Sequence, residues 1–122
     1  MSQPLLDRFR EICLSLPEAL EAEAWGAPTF RVKTLFATYS APDTYGAPAD
    51  GSVWIKAEMT NQELLVAKDP ERFFVPPYVG AKGWVGVHLS EDLDWDEVTA
   101  LLWDAWRMSA PKKLAAQHPP VG

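Results

Sequence analysis

The chain has 122 residues, 13.6 kDa and 48% hydrophobic residues, the usual size of one domain and enough apolar material to bury a core without disulfides. With 17 acidic against 11 basic residues the net charge is −6, which repels polyanions at long range and leaves any nucleic-acid role to a local basic patch. The single cysteine excludes an intrachain disulfide framework and a multi-thiolate zinc site, and no apolar run is long enough to span a membrane.

The opening stretch, MSQPLLDRF, lacks the charged start and apolar core of a signal peptide, so a cytoplasmic protein is expected. Residues 4–16 set Leu5, Leu6, Phe9, Ile12, Cys13 and Leu16 at three-and-four spacing, with Asp7, Arg8, Arg10 and Glu11 between them. That pattern predicts an amphipathic helix, ended by Pro17. A short strand around 21–25 precedes the turn at Gly26 and Pro28, and Trp25 is expected to pack a corner of the sheet. Thr29–Val32 then alternates as a half-buried strand does, with 35–40 as its partner. APDTYGAPADGS, 41–52, concentrates Pro, Gly and Asp and reads as a long hairpin loop, after which SVWIKAE resumes the alternation.

Thr60 predicts an N-cap for a helix over 61–68, with Glu63 as its capping-box partner, and KDPERFF turns the chain back. PPYVGAKG, 76–83, is a second loop, and WVGVHL reads as a strand. Asp94 predicts the cap of a closing helix over 94–109, whose stripe is Val98, Leu101, Leu102, Ala105 and Met108. The tail from about 111 ends in Pro and polar residues and is expected to fray. This order of elements predicts one α+β domain over 1–122, a two-layer sandwich of an antiparallel sheet with helices on one face. On the other face, alternation leaves Arg31 and Lys33 opposite Phe30 and Val32, where Lys56 and Trp54 would join them.

The spaced landmarks, LPE after the first helix, WGAPTFRV leading into TLFATY, PPYVGAKGWVGVHL, and a last helix ending in MSAPKKL, together resemble the MmcQ/YjbR family of small bacterial proteins over nearly the whole chain. The resemblance implies a CyaY-like fold and a DNA-binding function of the double-wing type. Two features bear on that implication. The 41–52 loop, a candidate wing, carries Asp43 and Asp50 and no Lys or Arg, whereas a wing on DNA meets phosphates. The 76–83 loop offers Tyr78, Lys82 and two glycines beside Trp84.

Other groups that carry chemistry have ordinary explanations. Cys13 lies on the apolar stripe of the first helix, where a small buried thiol is expected. His88 ends a strand and His118 sits in the tail, without the spacing of a metal pair or of a base and its orienting partner. The CyaY-like fold is shared by iron-binding proteins with an acidic ridge, and here Asp7, Glu11, Glu18, Glu21 and Glu23 cluster; solvated charge accounts for them. No phosphate-binding glycine loop, serine elbow or HExxH is present, so a non-enzyme without metal or cofactor is expected. Two binding readings follow. One is weak, largely sequence-independent contact with DNA phosphates through Arg31, Lys33, Lys56 and Lys82. The alternative is a protein- or small-anion-binding surface formed by Trp54, Tyr78 and Trp84.

Overall fold

Phe30 and Val32, Val53 and Ile55, and Val85 and Val87 stand two apart along their strands, and all six are buried. One face of the sheet is therefore a continuous apolar surface. The computed structural model describes residues 4–24, 26–41 and 51–119. Along them run α1 (Pro4–Ser15), β1 (Leu20–Ala24), β2 (Ala27–Val32), β3 (Thr34–Ser40), β4 (Ser52–Ile55), α2 (Met59–Lys68), β5 (Phe73–Phe74), a short 3-10 turn (Val79–Lys82), β6 (Val85–His88), α3 (Trp95–Ser109) and α4 (Lys112–Ala116). The strands form one six-stranded sheet in the order β1-β2-β3-β4-β6-β5, with every neighbouring pair antiparallel.

The helices close the apolar face. From α1 come Leu6, Phe9 and Cys13, and Phe9 meets Phe30 edge-on at 5.7 Å. From α3 come Val98, Leu102, Ala105 and Trp106. Trp106 is fully buried, and its indole N–H donates to the Pro17 carbonyl at 2.9 Å, so the ring's one polar atom is satisfied within the core. Arg8 of α1 lies over the Trp95 ring at 4.7 Å, tying the helices together at the start of α3. Asp94 caps α3 as expected, accepting from the Asp96 and Glu97 amides, each at 3.1 Å. Burial raises the pKa of the Cys13 thiol well above the ordinary value, which suits a core residue.

Several local expectations give way to tertiary contacts. Helix α2 begins at Met59, and Glu58, not Thr60, is its N-cap, with no side-chain capping bond. Gln62 occupies the buried position of that helix and donates to the Gly80 and Trp84 carbonyls at 2.8 and 2.7 Å, pinning the 76–84 segment. KDPERFF contains a short edge strand, β5, as well as a turn. The buried stripe of α3 ends in Trp106 and Ser109, and Met108 is exposed. The tail expected to fray is the helix α4, followed by His118 against the Trp103 and Trp106 rings at 6.0 and 5.6 Å. The expectations for Trp25 and for most of the 41–52 loop, residues 42–50, lie outside the described residues.

The face opposite the helices is graded. Leu20 and Arg31 are exposed near the β1 edge, Thr38, Trp54 and His88 are half-buried, and Ser40 and Ser52 are buried. Phe74 lies flat on the sheet over Gly86 and stacks on His88 at 4.5 Å, an approach only a residue without Cβ permits.

Gly83 gives a stability prediction. Its φ is +102° and an added Cβ would stand 2.8 Å from the Ala57 carbonyl oxygen and the Met59 amide, backbone atoms that cannot swing away. At Gly26, with φ +76°, the same Cβ meets nothing. Gly26→Ala should therefore cost the ordinary left-handed penalty of about 1–2 kcal/mol. Gly83→Ala should cost clearly more in a urea melt.

Candidate anion-binding cleft

The cleft is built at the end of the sheet where β2 turns into β3 and where α3 finishes. Lys33 makes the β2–β3 reversal by itself, with Val32 and Thr34 paired across it and a φ of +66°. Next to it, the β2–β3 register shifts between Phe30 and Arg31, so that Phe36 and Ala37 are both buried although they are adjacent. The Phe36 carbonyl then accepts from the Lys56 amide at 2.9 Å, just beyond β4. From there the Lys56 ammonium donates to the Ser109 hydroxyl at 3.1 Å and to the Thr34 hydroxyl at 3.4 Å. Ser109, buried at the last turn of α3, passes a hydrogen bond on to the Leu35 carbonyl at 3.3 Å.

Around these groups lies an open cleft of about 700 Å³, lined by Lys33, Thr34, Lys56, Arg107, Ser109 and Lys112. Met108, Ala115 and Pro119 line it as well. Arg107 is fixed by Asp104 at 3.1 Å and by the His118 carbonyl at 3.0 Å. The pKa of Lys56 is lowered, first by partial burial and then by the positive charge of Lys82, which does not itself line the cleft.

The charge distribution is uneven. Several cations elsewhere have carboxylate partners, Arg10 with Asp7 and Glu21 at 2.9 and 2.8 Å, Arg72 with Asp69 at 3.6 Å, and Lys68 with Glu97 at 3.8 Å, whereas Arg8, Arg31 and Lys113 have none among the described residues. Among the described residues Lys33, Lys56, Lys82 and Lys112 have none. The C-terminal dipole of α3 offsets only about half a charge. The cleft is therefore positive on a chain whose net charge is −6.

Two of the four cations singled out from the sequence, Lys33 and Lys56, line the cleft; Lys82 and Arg31 do not. Arg31 is exposed near the end of β2, paired across the strands with Leu20 and Leu35. Lys33 stands in the turn beyond β2, and Lys56, just past β4, reaches Ser109 of α3, so both lie at the end of the sheet. Arg107, Lys112, Thr34 and Ser109 went unrecognised; the KK pair in MSAPKKL was visible, but its distance in sequence from Lys33 and Lys56 hid the association.

The aromatic surface does not assemble. Trp84 is 5% exposed and so belongs to the interior, Trp54 is half-buried opposite Thr38 and Gly86, and Tyr78 alone is prominent, 77% exposed. Tyr78 sits at the centre of a γ-turn closed by the Val79 amide on the Pro77 carbonyl at 2.7 Å. A second recess, about 430 Å³, is lined by Asp69, Arg72, His88, Ser90 and Asp92 among others. Its His88 has a pKa lowered by burial and is neutral at pH 7. The acidic group at Asp7 and Glu21 is bridged by Arg10, so its carboxylates already hold a cation.

The architecture is that of an α+β protein with an antiparallel sheet covered by helices. A sequence model of the YjbR family matches residues 14–108, and the chain belongs to that family. The fold is similar to the crystal structure of Deinococcus radiodurans protein DR2400, which has a DUF419 domain. That similarity has a TM-score of 0.71 at 20% identity and covers 84% of this chain and 76% of that one. No curated protein matches the sequence. No helix among the described residues is long and apolar enough to cross a membrane.

A titration with inorganic phosphate followed by amide NMR checks the cleft. The expected shifts are at Thr34, Lys56, Ser109 and Lys112, with Leu20 and Arg31 unmoved.

Proposed function

We propose that the protein is a non-enzymatic DNA-binding module that meets phosphates through the cleft cations, weakly and with little regard to sequence. One observation carries the reading: three lysines without a carboxylate partner among the described residues, Lys33, Lys56 and Lys112, line one cleft of an acidic chain. Unpaired positive charge gathered at one cleft attracts an anion. The membership in the YjbR family and the resemblance stated above agree with this direction. Non-enzymatic action agrees with the state of the reactive groups, since Cys13 is buried with its thiol held protonated and His88 is stacked against Phe74.

Weakness and low selectivity follow from the same geometry. The exposed start of α3 carries Asp96 and Glu97, which a groove would repel, and the cleft lysines are point charges suited to phosphate rather than to base edges. About three or four phosphate contacts give a log–log salt slope near −3 to −4.

Fluorescence anisotropy with duplex DNA, at low and moderate salt, tests this. Lys33→Gly is the most informative variant, because glycine relieves the left-handed backbone of the turn while deleting the charge. It should leave thermal stability undiminished and reduce the salt slope by about one. Arg31→Ala should bind as the natural chain does. Absence of binding at low salt, or unchanged binding by both Lys33→Gly and Lys56→Met, would refute the proposal.

A further inference from the structure

We infer that the cleft is shaped for a terminal phosphomonoester carried on a flat or apolar body, the chemistry shared by a nucleoside monophosphate and the phosphorylated end of a nucleic acid strand. The inference rests on the cleft being an anion site and adds which anion it prefers.

The first ground is recession. Lys56 is half-buried, at the floor of a concavity, with Lys33 and Lys112 exposed at the rim. A phosphodiester in the middle of a duplex lies on a convex surface between two sugars and meets the rim cations only. A terminal phosphate projects from its carrier and can reach the floor. The second ground is charge. A phosphomonoester carries about −1.5 to −2 at pH 7 and three acceptor oxygens, against a single charge for a diester. Lys33, Lys56, Lys112 and the Asp104-paired Arg107, all lining the cleft, supply more positive charge than one diester neutralises.

The third ground is the donor arrangement. An ammonium has three N–H groups, and those of Lys56 serve Ser109 and Thr34, leaving one for a ligand. The Thr34 hydroxyl, accepting from Lys56, keeps its own O–H to donate. Lys56 is thus oriented by two hydroxyls, unlike a freely swinging surface lysine. The fourth ground is the apolar part of the lining: Met108, Ala115 and Pro119 also border the cleft and offer apolar surface to a body such as a base.

The test uses the full chain and two single-stranded oligonucleotides of one sequence, labelled at the 3′ end and bearing either a 5′-phosphate or a 5′-hydroxyl. The phosphorylated strand should bind about tenfold more tightly, the contribution of one added charge-assisted hydrogen bond. A nucleoside monophosphate should displace it and the unphosphorylated nucleoside should not. Displacement at the monophosphate's own low concentration identifies a free nucleotide as the better ligand; displacement only at large excess identifies the strand end. Lys56→Met should abolish the preference while Lys113→Ala, which does not line the cleft, keeps it. Lys112→Ala, an exposed position that cannot unfold the core, should weaken the phosphorylated strand several-fold more than the other. Equal, salt-sensitive affinity for both strands overturns this inference and leaves the DNA-backbone reading standing. Absence of binding by either strand overturns both.

Discussion

The fully buried ring of Trp106 decides where the last turn of α3 lies. Its face fills the core between helix and sheet, and its indole N–H is committed to the Pro17 carbonyl, a partner 89 residues away in the chain. Displacing it would open a large cavity and leave a buried donor unsatisfied, two costs that reinforce each other. Because α3 cannot rotate or slide, Arg107, Met108 and Ser109 emerge at one place, over the β2–β3 turn and the end of β4. His118, packed on Trp103 and Trp106, then folds the tail back so that α4 closes the cleft from the other side.

Electrostatics at this end runs against the rest of the molecule. Away from this end, Arg10 and Arg72 are tied to carboxylates and Arg8 is laid on the Trp95 ring, an arrangement that spends charge on local order. At the cleft the lysines repel one another, and the partial burial of Lys56 adds a desolvation cost to that repulsion. The hydroxyls of Ser109 and Thr34 and the C-terminal dipole of α3 offset part of it. What remains is a standing preference for an anion. Local strain coincides with it: Lys33, a residue with a Cβ, holds a left-handed backbone at the rim.

The bulge in β2–β3 links these two facts. It buries Phe36 and Ala37 together, strengthening the core, and in doing so it presents the Phe36 carbonyl to the Lys56 amide. Arg31 stays where alternation puts it, while Lys33 falls in the left-handed turn past β2 and Lys56 past the end of β4, where it reaches Ser109.

Much of the fold was legible from periodicity alone. The period-two runs at 30/32, 53/55 and 85/87, the three-and-four stripe of α1, and the Asp94 cap are local patterns with local causes, and each appears where the residues place it. Short-range reasoning failed where a distant partner outweighed a neighbour. Gln62 was worth more as a buried donor to Gly80 and Trp84 than Thr60 as a cap, and Trp84 was drawn inside despite its glycine-rich approach. The sequence by itself determined the sheet, its apolar face and the helices that cover it, because burial of alternating side chains depends on spacing. Only the tertiary structure decided which cations meet: Lys33, Lys56, and the pair Arg107 and Lys112 come from three separate stretches, and what joins them is a bulge, a left-handed turn and the seating of one tryptophan.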